Sequence, residues 1–281
     1  MIRHSSRLAI VSKLSKGLAK WAALLAVASP LVAATINPDA DLLERAAERA
    51  RQFWDQLSSV AITEDVLQEK LDLKGKVILN NRTAYDYLIT VRSDSGGMLV
   101  DESRLATGQR TKKAPQGTLL TTQGFATLMT IFHPQFQPSY AFTVEGVEQA
   151  AGRKLVRVSF VPRDGAPSPA ILAIKGRDYA IAWEGTAWIE PQTASVTRME
   201  AHWKSPAEDL GLQSLSSEVQ YEPISFRGQN QPFWLPTMAI VDVRTRHQHW
   251  RNTHQFSRHR LFNVDADAAV GTAPVAPPAN P

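Results

Sequence analysis

Hydrophobic positions follow two rhythms along the chain, and the change between them comes near Val60. Before it, Leu42, Leu43, Ala46, Ala50, Phe53, Trp54 and Leu57 recur at helical spacing behind Asn37-Pro38, an N-cap residue followed by proline at the first helical position. Asp41, Glu44, Arg45, Glu48, Arg49 and Gln52 occupy the other face, so the pattern predicts one amphipathic helix over Pro38 to Leu57 that packs on one side only. After it, short segments rich in β-branched and aromatic residues alternate with polar ones. Tyr85, Tyr87, Ile89 and Val91 share a face against Asp86, Thr90 and Arg92; Val156, Val158 and Phe160 against Arg157 and Ser159; Leu215, Val219 and Tyr221 against Glu218 and Gln220. Each reads as a half-buried antiparallel strand. Turn formers at Lys74-Gly75, Gly152, Asp164-Gly165 and Arg227-Gly228 recur at hairpin intervals and predict about ten strands.

One segment breaks the strand rhythm. Between Thr122 and Phe132, the residues Phe125, Leu128, Met129 and Phe132 stand at i, i+3, i+4 and i+7, which predicts a short crossover helix, or a lid over an open sheet with Met129 as its adaptable surface. No linker or fixed-period repeat divides the body, so residues 38–264 read as a single domain. The tail over residues 267–281 is Ala, Pro, Val and Gly without periodicity and is expected to be disordered.

The first 34 residues change the meaning of the charge. They hold Arg3, Arg7, Lys13, Lys16 and Lys20 and no acid, then an apolar run from Trp21 to Ala34 that ends in Val32-Ala33-Ala34. This is the order of a secretory signal peptide over residues 1–34, with cleavage expected after Ala34 and the periplasm or the exterior as destination. An uncleaved amphipathic anchor is the other reading, because the basic stretch is long. The chain carries 31 basic and 27 acidic residues for a net +4; without the five leader bases, 26 face 27 and the balance is −1. Basicity therefore gives no reason to expect a nucleic-acid partner. No stretch after the leader is long and apolar enough for a spanning helix. Cysteine is absent, which removes disulfides, thiolate chemistry, Cys-ligated metals and lipid attachment through sulfur.

Candidate chemistry is sparse. There is no Gly-x-Ser-x-Gly elbow, no Ser-x-x-Lys pair and no glycine-rich phosphate loop, so neither an enzyme nor a cofactor is expected. Glu184, Glu190 and Glu200 lie in one predicted hairpin, where solubilising roles outweigh acid–base ones. His247 and His249 would share a strand face, but Arg244, Arg246 and Arg251 crowd them and oppose a metal. The same five residues, Arg244, Arg246, His247, His249 and Arg251, make a candidate contact for an anionic group or an acidic partner.

The run Gly185-Thr-Ala-Trp-Ile-Glu-Pro-Gln-Thr-Ala-Ser-Val-Thr-Arg-Met-Glu200 reads as strand, turn, strand. It resembles the Gly-x-x-Trp-Ile-Asp-Pro-x-Thr … Arg-x-Glu hairpin of the periplasmic lipoprotein-localisation superfamily around LolA, LolB and the sigma-factor regulator RseB, with Glu190 here in place of the Asp. More narrowly, the chain resembles uncharacterised exported proteins of acidobacteria that share this hairpin and the Phe125 to Phe132 crossover. The resemblance implies a mainly β (α+β) fold: a highly curved antiparallel sheet or unclosed β-barrel wrapped around an N-terminal helix and a short crossover helix. It also implies a carrier or sensor without catalysis or cofactor. On that reading Phe125, Met129, Phe132, Trp188, Met199, Trp203 and Met238 line a groove for a hydrophobic ligand, a lipid or a lipoprotein acyl chain. The alternative is a cell-envelope interaction or sensing module whose core is filled by its own side chains.

Overall fold

The computed structural model describes residues 6–8, 38–94, 97–107, 125–150, 152–174, 177–205, 209 and 211–262. Apart from Ser6–Leu8, the leader lies outside the described residues, as do the tail and Thr122 to Gly124. The helix α1 spans Pro38–Leu57, the bounds its apolar spacing predicts. Ten strands follow in one sheet: β2 (Val60–Leu71), β3 (Val77–Asp94), β4 (Gly97–Ala106), β5 (Tyr140–Ala150), β6 (Arg153–Pro162), β9 (Trp183–Glu190), β10 (Ser195–Trp203), β11 (Leu212–Ile224), β12 (Phe233–Thr245) and β13 (His249–Leu261). Ser6–Leu8 (β1) lies beside β4 as a short eleventh strand, and β7 (Ile171–Ile174) pairs with β8 (Arg177–Ala180) as a separate hairpin.

Spatial order runs β1-β4-β3-β2-β13-β12-β11-β10-β9-β6-β5, all neighbours antiparallel. β4 and β5 do not pair with each other, so the sheet is unclosed. The chain passes from the β4 side to the β5 edge through a 3-10 helix, Phe125–Phe132. The spacing predicts an amphipathic stripe here, but Leu128 through Phe132 are all buried, Thr130 included. Leu128 to Phe132 are thus enclosed on every side of the turn they form.

The core lies against one face of the sheet. Leu42, Ala46, Ala50, Phe53, Trp54 and Leu57 of α1 pack onto it, with the Phe53 ring edge-on to Tyr221 at 5.7 Å. Phe132 of the 3-10 helix packs on Phe142 at 5.1 Å and on Phe160 at 6.4 Å. The β9–β10 hairpin requires Gly185: a Cβ there would lie 1.9 Å from the Glu200 carbonyl oxygen. Its turn closes with Ala194 N–H donating to Glu190 O at 2.8 Å and Ala194 in the left-handed region at φ 55°.

Candidate functional site

Strand parity divides the predicted groove residues between two faces. Met129 and Phe132 from the crossover and Met199 and Trp203 from β10 are buried in the main core beneath α1. Trp188 and Met238 face the other way. On β9 the inward positions are Trp183, Gly185, Ala187 and Ile189, and Trp188 instead stands across from Arg157 and Arg198, with the Arg198 guanidinium 4.8 Å over its ring. On β12 the inward positions are Ala239, Val241 and Val243, and Met238 is half-buried outside the core. The side chain of Phe125 lies outside the described residues. Bulk suggested an inward Trp188, whereas alternation with its small neighbours assigns it outward.

A pocket opens where α1 meets the starts of β10 and β12. Arg49, Gln52 and Phe53 of α1, Met129, Ser195 and Trp234 are among its lining, and it encloses ≈ 60 Å³. That holds a few waters, against roughly 300 Å³ or more for an ordinary ligand site. The Ser195 hydroxyl is buried there with no hydrogen-bond partner. At its rim the polar face of α1 is tied to the β9–β10 turn. Arg49 Nε donates to Thr193 O at 2.9 Å, Arg49 Nη1 to Gln52 Oε1 at 2.8 Å, and Arg45 Nη1 to Pro191 O at 3.1 Å. Phe53, Met129 and Trp234 stand behind that polar rim.

Among the apolar side chains on the other half of the inner face, such as Ile62, Ile89, Val100 and Phe256, lies an ionic cluster that sequence reasoning missed. Glu64 (β2), Arg104 and Glu102 (β4), Tyr87 (β3) and His254 (β13) converge where β4, β3, β2 and β13 run side by side. Arg104 grips Glu64 in two places, Nε to Oε2 at 2.5 Å and Nη2 to Oε1 at 2.9 Å, and reaches Glu102 Oε2 through Nη1 at 3.0 Å. Its guanidinium lies 4.8 Å over the Tyr87 ring. His254 Nδ1 is 2.8 Å from Glu64 Oε1, and its ring stacks on Phe256. Burial pushes the Glu64 carboxyl up, but hydrogen bonds from His254 and Arg104 and the charge of Arg104 outweigh it and hold the group below its ordinary value. Glu64 is thus a carboxylate, and His254 Nδ1 is the donor. Burial raises the Tyr87 hydroxyl well above its usual range, and neighbouring Glu102 adds to the effect. Tyr87 Oη and Glu102 Oε1 are both buried.

This cluster is built like a structural network. Glu64 is 0% exposed, and none of the cluster is among the residues that line the pocket. One signal was present in the sequence: β2 places Glu64 and Gln68 on the same parity as Val60, Ile62 and Val66. A carboxylate on an apolar strand face calls for a buried partner.

The predicted basic contact is partly neutralised. Asp242 accepts from His249 Nε2 at 2.8 Å and from Arg251 Nη2 at 3.0 Å, and Arg244 Nε lies 3.7 Å away. Arg246 and His247 project from the β12–β13 turn into solvent, so His247 and His249 do not share a strand face. In the predicted acidic hairpin, Glu184 contacts His202 Nε2 at 2.9 Å, Glu190 accepts from Thr193 Oγ1 at 2.7 Å and Glu200 pairs with Arg198. Each acid has its own partner. Among the described residues no group of three or more His, Cys, Asp or Glu side chains is arranged to hold a metal ion, and no helix is long and apolar enough to cross a membrane.

No protein-family model matches the sequence, and no curated protein matches it. Solved structures do resemble the fold. A LolA superfamily protein from Nitrosomonas europaea is 12% identical, over 78% of this chain and 94% of its own, with a TM-score of 0.36. A DUF1329 family protein from Desulfovibrio piger is 14% identical, over 83% and 95%, with a TM-score of 0.38. A domain described as an outer membrane lipoprotein-sorting protein, from Vibrio parahaemolyticus, is 10% identical, over 80% and 96%, with a TM-score of 0.35. At these values no residue role passes from them to this chain.

Proposed function

We propose that this protein is a non-catalytic binder of the bacterial cell envelope, exported by its leader, that takes one hydrophobic chain, a lipid or a lipoprotein acyl group, between α1 and the sheet. The observation that supports this reading is the pocket at the α1 rim, where polar side chains frame a short opening onto Phe53, Met129 and Trp234. Met129, Phe132, Met199 and Trp203 lie further in, and flexible methionines yield to an apolar guest at small cost. The enclosed ≈ 60 Å³ has to grow before a chain fits, which requires α1 to lift from the turn carbonyls that Arg45 and Arg49 hold. Native mass spectrometry of the protein purified gently from an envelope fraction, followed by denaturing lipid extraction, tests the reading. A reproducible bound lipid, and uptake of a fluorescent fatty acid by the emptied protein, are expected.

A second reading is favoured by the packing itself. Phe132 and Met199 are fully enclosed by side chains of the protein, as an interaction or sensing module with a filled core would have them. A protein that is empty as isolated and takes up no fatty acid belongs to this class, and its partner is then an envelope protein.

A further inference from the structure

Two turns stand side by side at the end of the sheet remote from α1. β13 pairs with β2 so that His249 faces Leu71, and with β12 so that Arg244 faces His249. The β12–β13 turn, Thr245 to Gln248, therefore lies next to the β2–β3 turn, Asp72 to Lys76. β2 starts beside the end of α1 and runs 12 residues before that turn, which carries the rim about 40 Å away.

The β2–β3 turn is stiff. Asp72 Oδ1 accepts from the backbone N–H of Lys74 at 2.8 Å and of Lys76 at 2.9 Å, Gly75 N–H donates to Asp72 O at 3.0 Å, and Asp72 N–H donates to Lys76 O at 2.9 Å. Gly75 supplies the left-handed φ of 79°. This frame holds Leu73 outward at 99% exposure, with Ile78 at 59% and Val77 at 37% beside it. Lys74 and Lys76 flank the leucine in solvent, and Arg244 near the end of β12 and Arg246 on the neighbouring turn are exposed.

Charge and apolarity coincide at this rim. Over residues 69–78 and 242–251, six bases (Lys70, Lys74, Lys76, Arg244, Arg246 and Arg251) stand against three acids (Glu69, Asp72 and Asp242), a net +3 with histidines neutral. Asp72 is committed to its turn, and Asp242 to His249 and Arg251. The adjoining β10–β11 connection meets the rim through Arg246 N–H on Gly211 O, and its Asp209 is held by Tyr179 and Arg177. A lone exposed leucine needs no explanation. A leucine fixed at the apex of a rigid turn, with two further apolar side chains behind it and cations around it, has the layout of an interfacial anchor.

We propose that this rim docks the protein on an anionic bilayer surface, with Leu73 entering the headgroup layer and Lys74, Lys76, Arg244 and Arg246 meeting lipid phosphates. Charge complementarity selects the occupant, since a zwitterionic surface carries no net negative charge to attract the cations. The pocket mouth lies at the opposite end of β12, so docking leaves it facing away from the membrane, and the inference stands apart from what the pocket binds.

Co-sedimentation with vesicles tests this, on protein purified from the exporting host and on variants whose identical N-terminus is verified by mass, so that any leader contribution cancels. Wild-type protein is expected to sediment with phosphatidylethanolamine–phosphatidylglycerol vesicles and not with phosphatidylcholine vesicles, and to release as salt rises. Leu73→Asp and the double variant Lys74→Glu, Lys76→Glu are each expected to weaken binding about tenfold or more. Leu105→Asp, at a position 69% exposed elsewhere on the sheet, is expected to bind as wild type does. Thermal melting shows that each variant folds, and Leu73→Ser repeats the test if Leu73→Asp does not. Equal binding by the Leu73 and wild-type proteins, indifference to lipid charge, or no vesicle binding at all overturns the proposal; the last of these would direct the search to an acidic protein surface.

Discussion

The two halves of the inner face are sealed by opposite means. Under α1 and the crossover, the sheet is closed by apolar side chains such as Phe132, Met199 and Trp203, whose contacts are weak singly and indifferent to partner. Across β4, β3, β2 and β13 apolar side chains such as Ile62, Ile89 and Val100 are joined by Glu64, Arg104, Glu102 and His254, whose contacts are few, directional and exclusive. An apolar seal can exchange one occupant for another of similar volume at modest cost. An ionic seal cannot, because any opening leaves a charge without its partner in a medium that does not solvate it. The difference makes the α1 side the less costly of the two to open.

Breaking the ionic half is expected to have the largest effect. Arg104→Met removes the cation that Glu64 and Glu102 share, and should cost about 3–5 kcal/mol in chemical denaturation, because two buried carboxylates lose their counterion. Replacing Glu64, Glu102, Arg104 and His254 together by apolar residues should recover most of that loss; a combined variant as unstable as Arg104→Met would mean that volume, not charge, governs this half. In the apolar half, Met199→Ala should cost about 2–4 kcal/mol by the same measurement. Added fatty acid should return part of that stability if the space is exchangeable, and none if the core is filled for good.

The smallest effect separates the halves by pH. The folded carboxyl of Glu64 sits below the ordinary 4.5, so its contribution is present above that value and is lost as pH falls through the lowered folded value. Wild-type stability minus that of Glu64→Gln should hold steady from neutrality to near pH 5 and shrink below it. Met199→Ala should keep a constant offset from wild type over the same range, and a parallel loss in both variants would detach Glu64 from the acid response.

The sequence carried the fold further than the site. The limits of α1 follow from Pro38 and the spacing that ends at Leu57, because a helix that buries one stripe writes that stripe at 3.6-residue intervals. The β9–β10 hairpin was legible for a similar reason: Gly185, Pro191 and the flanking strands encode local geometry. The inward or outward sense of Trp188 and Met238 was legible only from parity, and residue size misled. The ionic network was hidden because its members meet through strand order. Arg104 and Glu64 are 40 residues apart and His254 is 190 from Glu64, and nothing local states that the last strand lies beside the first of the body.

That last placement decides what holds the sheet together. β13 fits between β2 and β12, so the β2–β4 strands and the strands β5, β6 and β9–β12 are joined in one sheet only through His249 to Leu261. Without it β2 and β12 each present a bare hydrogen-bonding edge. A copy that lacks His249 to Leu261 carries two unpaired edges, on β2 and on β12, that match the same missing strand.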